Sequence, residues 1–205
     1  LAAERVLAVR GRVLPSTLEN VTLLADVAPP QGGPAQRVAG ESAITEAAGH
    51  IERLYLEPAH VRAYPPALQA IFNADLVVLG PGSLYTSILP NLLVPDLAAA
   101  LQRSRAPKVY VCNLATQPGE TDNYTVADHV NTILAHAPAP LLDIVLANDN
   151  LTVPPETGGG QTRYVEPVAP RHVRLITADL VDTERPWRHD SAKLARVVID
   201  LLREA

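Results

Sequence analysis

ADLVVLGPGSLYTSILPN, residues 74–91, is an unbroken apolar run closed by a Pro–Gly turn, with a Ser heading a helix-like segment. Such a run, bounded by turn residues, suits a strand buried on both faces, as in a parallel sheet. Two more runs follow, PKVYVCNL (107–114) and LDIVLAN (142–148). Helix patterns lie between them. VPDLAAALQRS (94–104) has Pro95 in its first turn and spaces Leu97 and Leu101 four apart. TVADHVNTILAHA (125–137) puts Val126, Val130 and Ile133 on one face. Strand and helix alternate over 67–148. This predicts an α/β fold with a Rossmann-like, mostly parallel sheet and helices on both faces.

The flanks differ. Residues 5–58 alternate in the manner of an antiparallel β meander, with strands expected over 20–27, 36–44 and 50–58 and a Pro/Gly turn at 28–36. Residues 154–170 read as a loop or linker. A strand over 172–180 and an amphipathic helix over 190–205 complete the chain. Leu194, Val197, Val198, Leu201 and Leu202 form that helix's apolar face, and Asp190 is its expected N-cap. A length of 205 residues without internal repeats suits one domain over 1–205.

Composition narrows the function. The net charge is −5 and no block of like charges occurs, which argues against a nucleic-acid footprint. The most apolar stretch carries Pro95 and Asp96 and is too short to cross a bilayer, so no membrane insertion is expected. The single cysteine, Cys112, rules out an intrachain disulfide and fits a cytoplasmic location. No secretory signal pattern opens the chain. There is no Met, and residue 1 is Leu, so the sequence reads as beginning inside a longer protein. Nothing in it argues against a homo-oligomer.

The loops of 67–148 are unequal. Those after the helices, QRSRAP and AHAPAPL, are short and chemically poor. Those after the strands, GPGSLYTS, NLATQPGETDNYT and ANDN, are rich in Gly, Ser, Thr, Asn and Asp. In open α/β sheets ligands bind beyond the carboxyl ends of the strands, so this asymmetry places a site on one sheet edge. In the first loop, Gly80, Pro81, Gly82 and Ser83 either cradle a phosphate at a helix start or form a turn with a Ser cap. The loop is neither a Walker A motif nor a nucleophile elbow. In the second, Asn113, Thr116, Gln117, Glu120, Thr121 and Asp122 are candidates for reading sugar hydroxyls or base edges, whereas Asp128 reads as the partner of Thr125 in a capping box. In the third, Asp149 either shares a Mg²⁺ ion with a phosphate or belongs to an Asx turn. The histidines lack metal-ligand spacing, and Cys112 and Trp187 read as packing residues. No nucleophile–base pair can be assembled from spacing alone.

GPGSLYTSILPNLLVP followed by VYVCNLATQPGETDNYTVADHV resembles the CofD/YvcK-like family of 2-phospho-L-lactate transferases and gluconeogenesis factors. VRGRVLPSTLENVTLLADV (9–27), GESAI (40–44) and RHDSAKLA (188–195) support the match over nearly the whole chain. The resemblance implies a ligand pocket lined by Gly80, Pro81, Gly82, Ser83, Leu84, Tyr85 and Ser87 with the second loop. One branch transfers a phospholactyl group to a deazaflavin. The other binds UDP-sugars such as UDP-N-acetylglucosamine and regulates central carbon metabolism, cell wall and cell shape. Ser83-Leu84-Tyr85 is similar to the regulator branch. The partner it implies is a nucleotide-sugar or another phosphorylated small molecule, with Mg²⁺ as the ion to test and Asp122 and Asp149 as its candidate ligands. A protein-interaction scaffold is the blander alternative. The family also implies a strand and a Gly-rich turn ahead of the first residues here, and a more ordered stretch at ETGGGQ (156–161).

Overall fold

A computed structural model describes residues 11–47, 49–137, 141–152, 155 and 162–204. Residues 156–161 therefore lie outside the described part, as do the first residues of the 5–58 region. Two sheets form the frame. β1 (Thr22–Ala28), β2 (Gln36–Ala39) and β3 (His50–Glu57) make an antiparallel sheet in the order β2-β1-β3. β4 (Val77–Leu79), β5 (Lys108–Val111), β6 (Ile144–Asn148) and β7 (Arg174–Ala178) make a parallel sheet in sequential order. This is the expected fold class.

The two central parallel strands, β5 and β6, are apolar through their middles because both faces are covered. Along β5 the side chains alternate between two cores. Val109 and Val111 pack with Leu146, Leu201, Val197 and Val198, the last three on helix α6 (Ser191–Glu204). Tyr110 and Cys112 face the other way, toward Val130 and Ile133 of helix α5 (Val126–His136). The antiparallel sheet joins this second core through Ala25, Val27, Ile51 and Leu54. His136 ties the two parts together. Its Nε2 accepts the Leu54 amide at 3.2 Å, and its Nδ1 lies 2.9 Å from the Thr132 carbonyl.

Three segments differ from the sequence expectation. The strand expected over 36–44 ends at Ala39. Gly40, at φ 95, turns the chain into the short helix α1 (Glu41–Glu46), which buries Ile44 completely. One buried apolar side chain in a polar turn does not register as a helical period. A helix not anticipated, α2 (Pro65–Phe72), starts on paired prolines. The expected linker over 154–170 is held in its later part. Ala115 pairs with Tyr164, the Val165 amide donates to the Leu114 carbonyl, and the Val126 amide donates to the Glu166 carbonyl. The stretch after β4 continues as a π-helical turn, Leu84–Ile88, into α3 (Leu89–Leu92), and α4 (Pro95–Arg103) returns the chain to β5. Among the described residues no single helix is long and apolar enough to cross a membrane.

Candidate functional site

The loops after β4 and β5 meet at the carboxyl edge of the parallel sheet. They enclose a cavity of about 770 Å³ lined by Gly82, Ser83, Asn113, Thr116, Gln117 and Glu120, and also by Thr45, Pro118, Thr162, Trp187 and His189. That volume lies within the ordinary range for small-molecule pockets.

A chain of hydrogen bonds fixes the polar wall. The Ser83 hydroxyl donates to Glu120 Oε2 at 2.5 Å and accepts from the Thr86 hydroxyl at 2.7 Å. It also caps the helical turn by accepting the Thr86 amide at 3.2 Å. Asn113 bridges the two loops. Its Oδ1 accepts the Gly82 amide at 3.3 Å, and its Nδ2 donates to Gln117 Oε1 at 3.0 Å. Glu120 is buried, and it is the one carboxylate among the lining residues, which include no Lys or Arg. The lining therefore combines hydroxyl and amide groups with apolar surface and one uncompensated acidic group, and suits hydroxyl and amide groups better than a dense negative charge.

Thr116 and Thr121 are buried and hold the loop in shape. Thr116 pairs with the Arg163 backbone through both its amide and its hydroxyl, and the Thr121 hydroxyl accepts the Gln117 amide at 2.9 Å. Other candidates go elsewhere. Leu84 and Tyr85 turn into the core. The Tyr85 hydroxyl sits 2.6 Å from that of Tyr124, and burial pushes its pKa far up. Gly80, Pro81 and Ser87 face a separate hollow of about 530 Å³ lined by Ile71, Val78, Leu97 and Leu101 among others. Gly80 has a fold-based reason to be glycine. Its φ is +82, and a Cβ there would stand 2.9 Å from the Val111 carbonyl oxygen.

Asp122 accepts the Gly119 amide of its own turn at 2.7 Å and faces a third hollow beside His50. Asp149 is exposed on the loop after β6. Neither lines the main cavity, so these two do not fit a shared Mg²⁺ there. Among the described residues no group of three or more His, Cys, Asp or Glu forms a metal cluster. The ANDN loop closes on itself, because Asn148 spends its side chain on Asn150 and on the Leu180 amide. Asp128 and Thr125 form the capping box of α5. Cys112 is fully buried, and burial pushes its thiol up to about 12.

Sequence reasoning missed Trp187 and His189. Trp187 is 44% exposed and lines the cavity instead of anchoring the core. In WRHD the two rings stand two residues apart, and a turn closed by the Arg188 amide on the Arg185 carbonyl carries Trp187 into the lining.

The model of the family described as 2-phospho-L-lactate transferase CofD matches residues 2–202. The chain belongs to the CofD family. Curated members of this family include the gluconeogenesis factor of Bacillus subtilis, 38% identical over 98% of this chain and 64% of its own length. The gluconeogenesis factor of Listeria monocytogenes is 40% identical over 96% of this chain and 61% of its own. A Nostoc homologue is 41% identical over 97% of this chain and 44% of its own. The CofD-family chain described here thus spans roughly half to two thirds of the length of those relatives. A crystal structure of a UPF0052-family protein from Bacillus halodurans superposes with a TM-score of 0.80 at 33% identity, covering 97% of this chain and 64% of that one.

Proposed function

We propose that this protein binds a nucleotide-sugar of the UDP-N-acetylglucosamine type and acts as a cytoplasmic regulator of central carbon metabolism and cell-wall formation. One observation carries the reading: a cavity at the carboxyl edge of a parallel sheet whose lining offers the hydroxyl and amide groups of Ser83, Asn113, Thr116 and Gln117. Asn113, Gln117 and Glu120 offer donors and acceptors to sugar hydroxyls and an acetamido group.

The test is a thermal melt of the full-length protein with UDP-N-acetylglucosamine. A hundredfold excess over Kd stabilises by about 2.7 kcal/mol and raises Tm by roughly 5–10 °C. Ser83→Ala and Asn113→Ala should shrink the shift. Gly82→Val is a poorer probe, because a Cβ there already lies 3.2 Å from Ser87 Cβ. No shift at saturating ligand overturns the proposal. Turnover of a phospholactyl donor with a deazaflavin acceptor would support transferase activity, the activity in the family's name.

A further inference from the structure

The cavity lining holds two side chains, from far along the chain, that nothing above employs. Trp187 is the chain's one tryptophan, and His189 lies two residues on; both line the cavity. Their segment is fixed at both ends. Asp182 Oδ1 accepts the amides of Glu184 and Arg185, and the Asp182 amide donates to the Arg188 carbonyl. The Tyr164 hydroxyl donates to the Pro186 carbonyl at 3.1 Å, and Val181 pairs with His189. Asp190 then caps α6 through the amides of Ala192 and Lys193. An indole left 44% exposed on so tied a turn is held ready without being packed. Burial keeps His189 below the usual imidazole range, so the second ring is uncharged at neutral pH.

We propose that Trp187, flanked by His189, is a stacking platform for the planar base of the nucleotide-sugar, opposite the Asn113–Gln117–Glu120 wall that takes the sugar. The inference rests on the nucleotide-sugar reading and adds the base subsite to it. The division follows from the chemistry of the two walls. One offers amide, carboxylate and hydroxyl groups to a polyol, and the other carries two aromatic rings, the chemistry that suits a flat heterocycle. Stacking on an aromatic side chain tolerates any base, so the platform supplies affinity and orientation more than base selectivity.

A single tryptophan makes the test direct. The full-length protein, with any Trp outside these residues replaced by Phe, is titrated with UDP-N-acetylglucosamine, UDP and N-acetylglucosamine 1-phosphate. Trp187 emission and calorimetric heat are followed together. UDP-N-acetylglucosamine and UDP should quench emission with the same midpoint as the heat, while N-acetylglucosamine 1-phosphate should leave it unchanged. Trp187→Ala should weaken UDP binding roughly 5- to 150-fold, as loss of one base stack does, and Trp187→Phe should restore most of it. Heat from UDP without a change in emission overturns the platform and leaves the nucleotide-sugar reading standing. Quenching by N-acetylglucosamine 1-phosphate alone assigns Trp187 to the sugar and also overturns it. No heat from any probe overturns both.

Discussion

The carboxyl ends of β5 and β6 each carry an asparagine, and the two side chains go different ways. Asn113 follows β5 and reaches outward, joining Gly82 of one loop to Gln117 of its own. Asn148 closes β6 and turns inward, satisfying Asn150 and the Leu180 amide. Both loops are polar, both lie at the carboxyl edge of the sheet, and only the first lines the cavity. Their partners, more than their composition, separate a binding wall from a structural turn.

The largest effect that tests this contrast is in Asn148→Ala. It strands the Leu180 amide, on a residue with no solvent exposure, and should cost about 2–3 kcal/mol in urea unfolding. Nucleotide-sugar affinity should stay within about twofold; a larger loss would break the distinction between the two loops. Ser83→Ala comes next. It removes the hydroxyl donor of the buried Glu120 carboxylate, and should cost about 1–2 kcal/mol together with a loss of ligand-induced stabilisation. Ser83→Ala in a Glu120→Gln background should cost less than in the parent, since the buried charge is gone.

Asn113→Ala should reverse the pattern of Asn148→Ala, with about 1 kcal/mol of stability lost but roughly tenfold weaker binding by calorimetry. Equal effects on stability and binding at both asparagines would erase the comparison. The smallest effect serves as a control. His129 is fully buried, and burial lowers its pKa below 6.5, with the Thr125 carbonyl holding Nδ1 at 2.9 Å. Above pH 6.5 it is neutral folded and unfolded. As the pH falls below 6.5 the unfolded chain takes up the proton first, so stability drops, by up to about 1 kcal/mol between pH 6.5 and 5.5. Unfolding measured across that interval should show the drop in parent, Asn113→Ala and Asn148→Ala alike, and a smaller drop in His129→Gln, where His189, lowered by burial as well, still contributes.

Much of the frame was legible. Three of the four parallel strands fall inside the apolar runs over 74–80, 107–114 and 142–148, and the fourth falls in the strand expected over 172–180, which polar residues interrupt. The capping box of α5 and the Asp190 cap of α6 were legible too, since their partners lie two or three residues away. The α1 helix was not, because one buried Ile44 at the end of a Gly-started turn carries no period. The later linker was misread for a related reason. Its order comes from Leu114, Thr116 and Val126, 40 or more positions earlier in the chain than the residues they hold.

The site divides along the same line. Sequence alone determined that the chemistry sits in the strand-end loops, because a parallel sheet leaves only those loops free to carry polar groups toward a ligand. It determined the family as well, through long contiguous motifs. Tertiary structure decided which of those residues share a cavity. It turned Leu84 and Tyr85 into the core, gave Gly80, Pro81 and Ser87 to a different hollow, and brought Trp187 and His189 across from the far end of the chain. Side-chain direction depends on which atoms arrive from distant segments to take each hydrogen bond, and local spacing does not encode that.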